Sequence, residues 1–136
     1  MVDIVITGAN VLPGSSAKIS NGTAGVALTA GQVVYLDDLE NKYKLADNNS
    51  ATVAARTPVG ISLNSCGINQ PVAVLEQGPI TIGSTLVAGV AYYLSDFPGG
   101  ICPVADLLAG EFPSIIGIAT STTVLKVNLQ ASGVAL

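Results

Sequence analysis

Short runs in which apolar and polar residues alternate, each closed by Gly, Pro, Asn or Asp, follow one another along the whole chain. A period of two is the signature of a strand with one buried face. Val2, Ile4 and Ile6 alternate with Asp3, Val5 and Thr7, which predicts a short N-terminal strand. The breakers Gly8-Ala9-Asn10 and Leu12-Pro13-Gly14-Ser15-Ser16 then tether it flexibly, so residues 1–16 read as a strand or arm ahead of a β domain over 17–136. Such an arm pairs either with a neighbouring chain or with the edge of its own sheet. Residues 17–20 run into Asn21-Gly22, the dipeptide best suited to a type I′ hairpin. Residues 32–46 read as strand, turn, strand around Asp37-Asp38-Leu39-Glu40-Asn41. Further strands are predicted over 57–63, over 71–76 and 79–82 on either side of Gln77-Gly78, from Tyr92, from Ile101, and over 114–119 and 124–129. Only two stretches, near residues 50–56 and 105–109, have the character of a single helical turn.

One pattern is stated twice. Leu28-Thr29-Ala30-Gly31-Gln32-Val33-Val34-Tyr35-Leu36 and Leu86-Val87-Ala88-Gly89-Val90-Ala91-Tyr92-Tyr93-Leu94 both read L-x-A-G-x-x-x-Y-L, 86 − 28 = 58 residues apart. Pro58-Val59-Gly60-Ile61-Ser62 and Ile115-Ile116-Gly117-Ile118-Ala119 recur at 117 − 60 = 57. Two similar β units follow, pseudo-repeats over roughly 26–75 and 84–129, with paired glycines meeting one packing need twice. The fold class is therefore all-β, a sandwich or barrel of about ten short strands with at most one or two helical turns. Tyr35 and Tyr93 are expected to sit alike, with their rings largely buried.

Composition narrows the chemistry. Apolar residues make up 49% of the 136 and charged residues only 10%, so much of the surface must be small polar or exposed apolar side chains, which associate readily. The formal charge is −4 and the five cations (Lys18, Lys42, Lys44, Arg56, Lys126) are scattered, which argues against nucleic acid as a partner. Asp3 stands where a secretion signal would carry Lys or Arg, and no run reaches the roughly 18 apolar residues of a membrane span. The expectation is a soluble protein made in a cytoplasm, with Cys66 and Cys102 as reduced, partly buried thiols rather than a disulfide. The chain has no His, which removes the commonest general base and every His-based triad or metal site. Neither thiol has a basic neighbour to activate it. Asp37, Asp38 and Glu40 could offer oxygens to calcium, but the loop spacing is wrong and Lys42 and Lys44 stand beside them. Asp96 with Asp106 or Glu111 is the remaining acid–base pairing of interest. The glycines form no phosphate-cradling motif. No catalytic, cofactor-binding or metal-ligating residue is expected.

Gly22-Thr23-Ala24-Gly25, Leu28-Thr29-Ala30-Gly31-Gln32-Val33-Val34-Tyr35, Lys42-Tyr43-Lys44-Leu45-Ala46-Asp47, Pro58-Val59-Gly60-Ile61 and Ala88-Gly89-x-x-Tyr92-Tyr93-Leu94-Ser95-Asp96 together resemble the capsid decoration, or cement, proteins of tailed bacteriophages. The resemblance implies a head-stabilising structural protein of the virion, made in the host bacterial cytoplasm. It implies a homo-oligomer, often a homotrimer, that sits on the outer capsid lattice and bridges capsomers of the major capsid protein. It carries over no catalytic residue and no cofactor. Val2, Ile4 and Ile6 are the expected contacts with the capsid or another partner. The same glycine and tyrosine signals occur in tail-fibre modules, so the alternative is a tail-fibre or spike domain that binds a host glycan or another virion protein.

Overall fold

The computed structural model describes residues 3–136. Among these residues ten strands form one curled antiparallel sheet, a half-barrel, and helical structure is confined to three 3₁₀ turns at Gly8–Asn10, Ala54–Arg56 and Val104–Asp106. The strands are β1 (Leu12–Pro13), β2 (Lys18–Thr23), β3 (Val33–Asp37), β4 (Lys42–Leu45), β5 (Gly60–Ser62), β6 (Pro71–Thr81), β7 (Ala91–Leu94), β8 (Ile101–Pro103), β9 (Ser114–Ala119) and β10 (Val124–Ala131). They lie in the order β4-β3-β5-β6-β10-β9-β7-β8, with β1 and β2 also paired to β6. That order is a palindrome. Matching β3 to β7, β4 to β8, β5 to β9 and β6 to β10 maps one half of the sheet on the other, and β6 pairs with β10 at the centre.

The doubled sequence pattern explains each half locally. Gly31 and Gly89 take φ of +93° and +86°, a left-handed conformation open to glycine at no steric cost. Their turns are then fastened in the same way. Gly31 N–H donates to Ser62 O and Ser62 N–H donates to Gln32 O, both at 2.8 Å. In the second half Gly89 N–H donates to Ala119 O at 2.7 Å and Ala119 N–H to Val90 O at 3.0 Å. Two residues before each fastening point stands the paired glycine. Gly60 lies opposite Val34 and Gly117 opposite Tyr92. A Cβ on Gly60 would come within 2.6 Å of Leu75 O on β6, and one on Gly117 would overlap Lys126 O on β10. The first half also has Ser62, fully buried, whose Oγ donates to Thr29 O at 2.7 Å and accepts from Gln32 N–H at 3.1 Å.

The halves nevertheless pack differently. β3 is buried on both faces: Val33 and Tyr35 join the large core, and Val34 joins a smaller one with Ala24, Leu28, Tyr43, Val72 and Val74. The smaller core is closed where Ala24, just past β2, bridges to Tyr43 on β4. In the second half Tyr92 and Leu94 enter the large core beside Tyr35, Ile61 and Leu75. The second unit thus enters the large core with the face bearing Tyr92 and Leu94, whose counterparts Val34 and Leu36 turn to the smaller core in the first unit. Tyr35 is buried and Tyr93 is mostly covered, as expected of both rings, and Tyr92 is buried as well.

Three local expectations are corrected. Asn21-Gly22 makes no hairpin; β2 runs through it, with Asn21 opposite Ala73 and Gly22 opposite Val72. Gly22 is required there because the Tyr43 ring lies on it, 2.5 Å from where a Cβ would be. Gln77-Gly78 does not separate two strands either. Gly78, at φ +109°, lies within a single long β6, near the register shift where Gln77 meets Lys18. Finally, residues 3–7 form no strand. Their alternation is real, with Ile4 and Ile6 inward and Val5 outward, but they lie on their own domain without a ladder, and the first pairing is β1 with β6 at Leu12 and Pro13.

Equivalent glycines should therefore respond unequally. Gly89 has open space where a side chain would go, so Gly89→Ala incurs only the left-handed strain of about 1–2 kcal/mol. At Gly31 a Cβ would stand 2.5 Å from Ile6 Cγ2, and Gly31→Ala adds a further overpacking cost of about 1–3 kcal/mol. Urea denaturation of the two variants measures the difference.

Candidate interaction surface

The described part of the N-terminal segment is anchored to the body at several points. Asp3 Oδ1 accepts from Ser95 Oγ at 2.6 Å, Ile4 N–H donates to Ile101 O at 3.0 Å, and Thr7 N–H donates to Gly83 O at 2.8 Å. Ile4 and Ile6 pack against the large core, and Val2 lies outside the described residues. The apolar groups this segment offers to solvent are others than the expected contacts: Val5 is 82% exposed and Leu12 is 61% exposed. Both line an open groove of about 820 Å³ together with Ile4, Thr7, Thr81 and Thr123. The signal that could have found Val5 was the same period of two, read for the face it leaves outside.

Charged chemistry is sparse. Lys44 pairs with Asp37 at 2.8 Å and with Glu40, and these contacts raise its own pKa. The hydrogen bond from Lys44 holds the Asp37 carboxyl below its ordinary value. The acidic turn is thus neutralised by a lysine, and among the described residues no group of three or more Cys, Asp or Glu side chains is arranged to hold a metal ion. Lys42 donates to Asn69 Oδ1 at 2.7 Å, and Arg56 lies over the Phe112 ring at 3.7 Å.

Of the carboxylates singled out in the sequence, Asp96 and Asp106 meet and Glu111 stands apart. Asp96 and Asp106 line one pocket with Asp3, Ser95 and Cys102. Glu111 is buried, and its Oε1 accepts from Leu108 N–H at 2.9 Å and from Asn48 Nδ2 at 3.2 Å. Asn48, fully buried, also donates to Leu94 O at 2.9 Å, so this pair ties the chain after β4 to the end of β7. Nothing in the sequence marked Asn48, which sits in an unremarkable Asp47-Asn48-Asn49-Ser50 run.

Cys66 and Cys102 are both free. Burial, and then the charges of Asp3, Asp106, Glu111 and Asp96, push the Cys102 thiol up to about 12. Burial also raises Cys66, partly offset by its hydrogen bond to the Leu28 backbone. Neither is poised as a thiolate at neutral pH. The chain matches no known protein-family model and no curated protein. No helix among the described residues is long and apolar enough to cross a membrane.

These environments set an order of reactivity. With an alkylating reagent at neutral pH, Cys66 should be modified slowly in the native protein and Cys102 only once denaturant unfolds it. Mass spectrometry of labelled peptides reads this out, and native labelling of Cys102 would contradict it.

Proposed function

We propose that this chain is a structural protein of a bacteriophage virion that decorates and stabilises the outer capsid surface, bridging capsomers of the major capsid protein as a homo-oligomer, with a trimer favoured. The reading rests on the resemblance of its glycine and tyrosine motifs to capsid decoration proteins. The observation that carries it into structure is the apolar rim formed by Val5 and Leu12, presented by a segment that is itself fastened to a rigid β body. Exposed apolar groups on a weakly charged surface favour lattice contact over a small-molecule reaction. The expected contacts shift accordingly: Ile4 and Ile6 hold the segment to its own domain, and Val5 and Leu12 face a partner.

One observation favours a second reading, the tail-fibre or spike domain. Phe97 is 67% exposed beside Pro98, over a pocket that also includes Thr29 and Gln32, and an exposed ring with polar neighbours is what a sugar stacks on. Glycan-array binding that is lost in Phe97→Ala, without affinity for capsids, would replace the capsid reading with this one.

The substitutions Val5→Asp and Leu12→Asp test the first reading directly, since both side chains are exposed and neither change should alter the melting temperature much. Occupancy on capsids stripped of this protein should fall at least tenfold in the double variant. Unchanged occupancy would overturn the assignment of this rim as the contact.

A further inference from the structure

We propose that Asp3 is a proton-controlled latch that sets how firmly residues 3–12 lie on the body of the protein. Its seat is built for a carboxyl group. Ser95, 1% exposed, donates through Oγ to Asp3 Oδ1 at 2.6 Å and accepts from Phe97 N–H at 3.0 Å, which fixes the hydroxyl in place. Gly100 leaves the space that Asp3 Oδ2 fills, since a Cβ there would overlap that oxygen. The next residue closes the contact, with Ile4 N–H bonded to Ile101 O on β8.

Among the described residues, the groups facing this seat are acidic or neutral. Asp96 follows β7 and Asp106 comes from the third 3₁₀ turn, and both line the same pocket of about 340 Å³ as Asp3. Both carboxylate oxygens of Asp106 are buried without a hydrogen-bond partner, so this side chain makes no bond that would disperse its charge. From β8 comes the Cys102 thiol, and Glu111 is turned to Asn48 and Leu108. The lysines and the arginine lie elsewhere: Lys18 with Glu76, Lys42 with Asn69, Lys44 with Asp37 and Glu40, Arg56 on Phe112, while Lys126 projects to solvent from β10.

Burial raises the Asp3 carboxyl above its ordinary value, the Ser95 hydrogen bond opposes this, and the charges of Asp96 and Asp106 add to the rise. A proton therefore binds the docked carboxyl more tightly than a free one. Docking is firmest in acid, below the ordinary carboxylate range; it weakens as pH rises through the raised value and levels off above it. The Ile4 and Thr7 backbone bonds and the burial of Ile4 and Ile6 persist throughout, so the latch adjusts the hold of the segment without being its sole support. This inference stands independently of the virion reading.

Amide hydrogen exchange of residues 4–12, corrected for intrinsic rates, tests it between about pH 4 and pH 8, a range that spans carboxylate titration. In the unaltered protein, protection of the Ile4 and Thr7 amides should fall several-fold across that range. Asp3→Asn keeps an acceptor for Ser95 and removes the charge, so protection should become high and independent of pH. Asp96→Asn removes a second charge beside the seat, where Asp96 Oδ1 also accepts from Ser95 Oγ at 3.4 Å, and should reduce the pH dependence in part. Protection that does not vary with pH in the unaltered protein overturns the latch. So does a pH dependence that survives unchanged in both variants.

Discussion

The close approach of two backbones at Gly60 and again at Gly117 is the constraint on which the rest of this structure depends. At each place a strand must pass its neighbour without a side chain between them, Gly60 against Leu75 and Gly117 against Lys126. That contact brings the residue two positions on, Ser62 or Ala119, within hydrogen-bond reach of the Ala-Gly turn that opens the next strand in space. The turn in turn requires a glycine at positive φ. The L-x-A-G-x-x-x-Y-L pattern and its distant partner glycine are thus two halves of one device, used once in each unit. With both devices in place, β6 and β10 meet at the centre and the sheet order becomes a palindrome.

The duplication was legible because its glycines and tyrosines have steric reasons that hold wherever the unit stands. What was not legible is how one unit covers the other. The large core joins faces of the two units that are not equivalent, so Tyr92 and Leu94 enter it while their counterparts Val34 and Leu36 turn to the smaller core. Position along the repeat fixes the strand, while burial depends on tertiary neighbours that have no local signature. Asn21-Gly22 fails for a related reason. Its hairpin preference is outweighed by the ladder with β6 and by the Tyr43 ring, which needs a residue without a side chain beneath it. Gly78 likewise marks an irregularity inside β6, next to the shift in the β2 ladder between Lys18 opposite Gln77 and Ile19 opposite Leu75, while the β10 ladder runs on through it.

The N-terminal segment shows both outcomes in the described residues 3–7. Their alternation correctly separates Ile4 and Ile6 from Val5, yet these residues lie on the body and form no strand. Their hold comes from single contacts, an aspartate seated on Ser95 and Gly100 and two backbone bonds, which no periodicity encodes. Elsewhere the chain has no histidine, burial raises both thiols, and Lys44 pairs with Asp37 and Glu40 in the acidic turn. The groove edged by Val5 and Leu12 presents exposed apolar side chains on a segment whose Ile4 and Ile6 pack on the large core beneath.

Electron microscopy of the assembled particle decides whether this chain decorates a capsid. Density of this half-barrel is expected on the outside of the head, between capsomers, with the Val5 and Leu12 edge turned toward the capsid. The same density at the tail or its fibres, or no such density on the head, would contradict it.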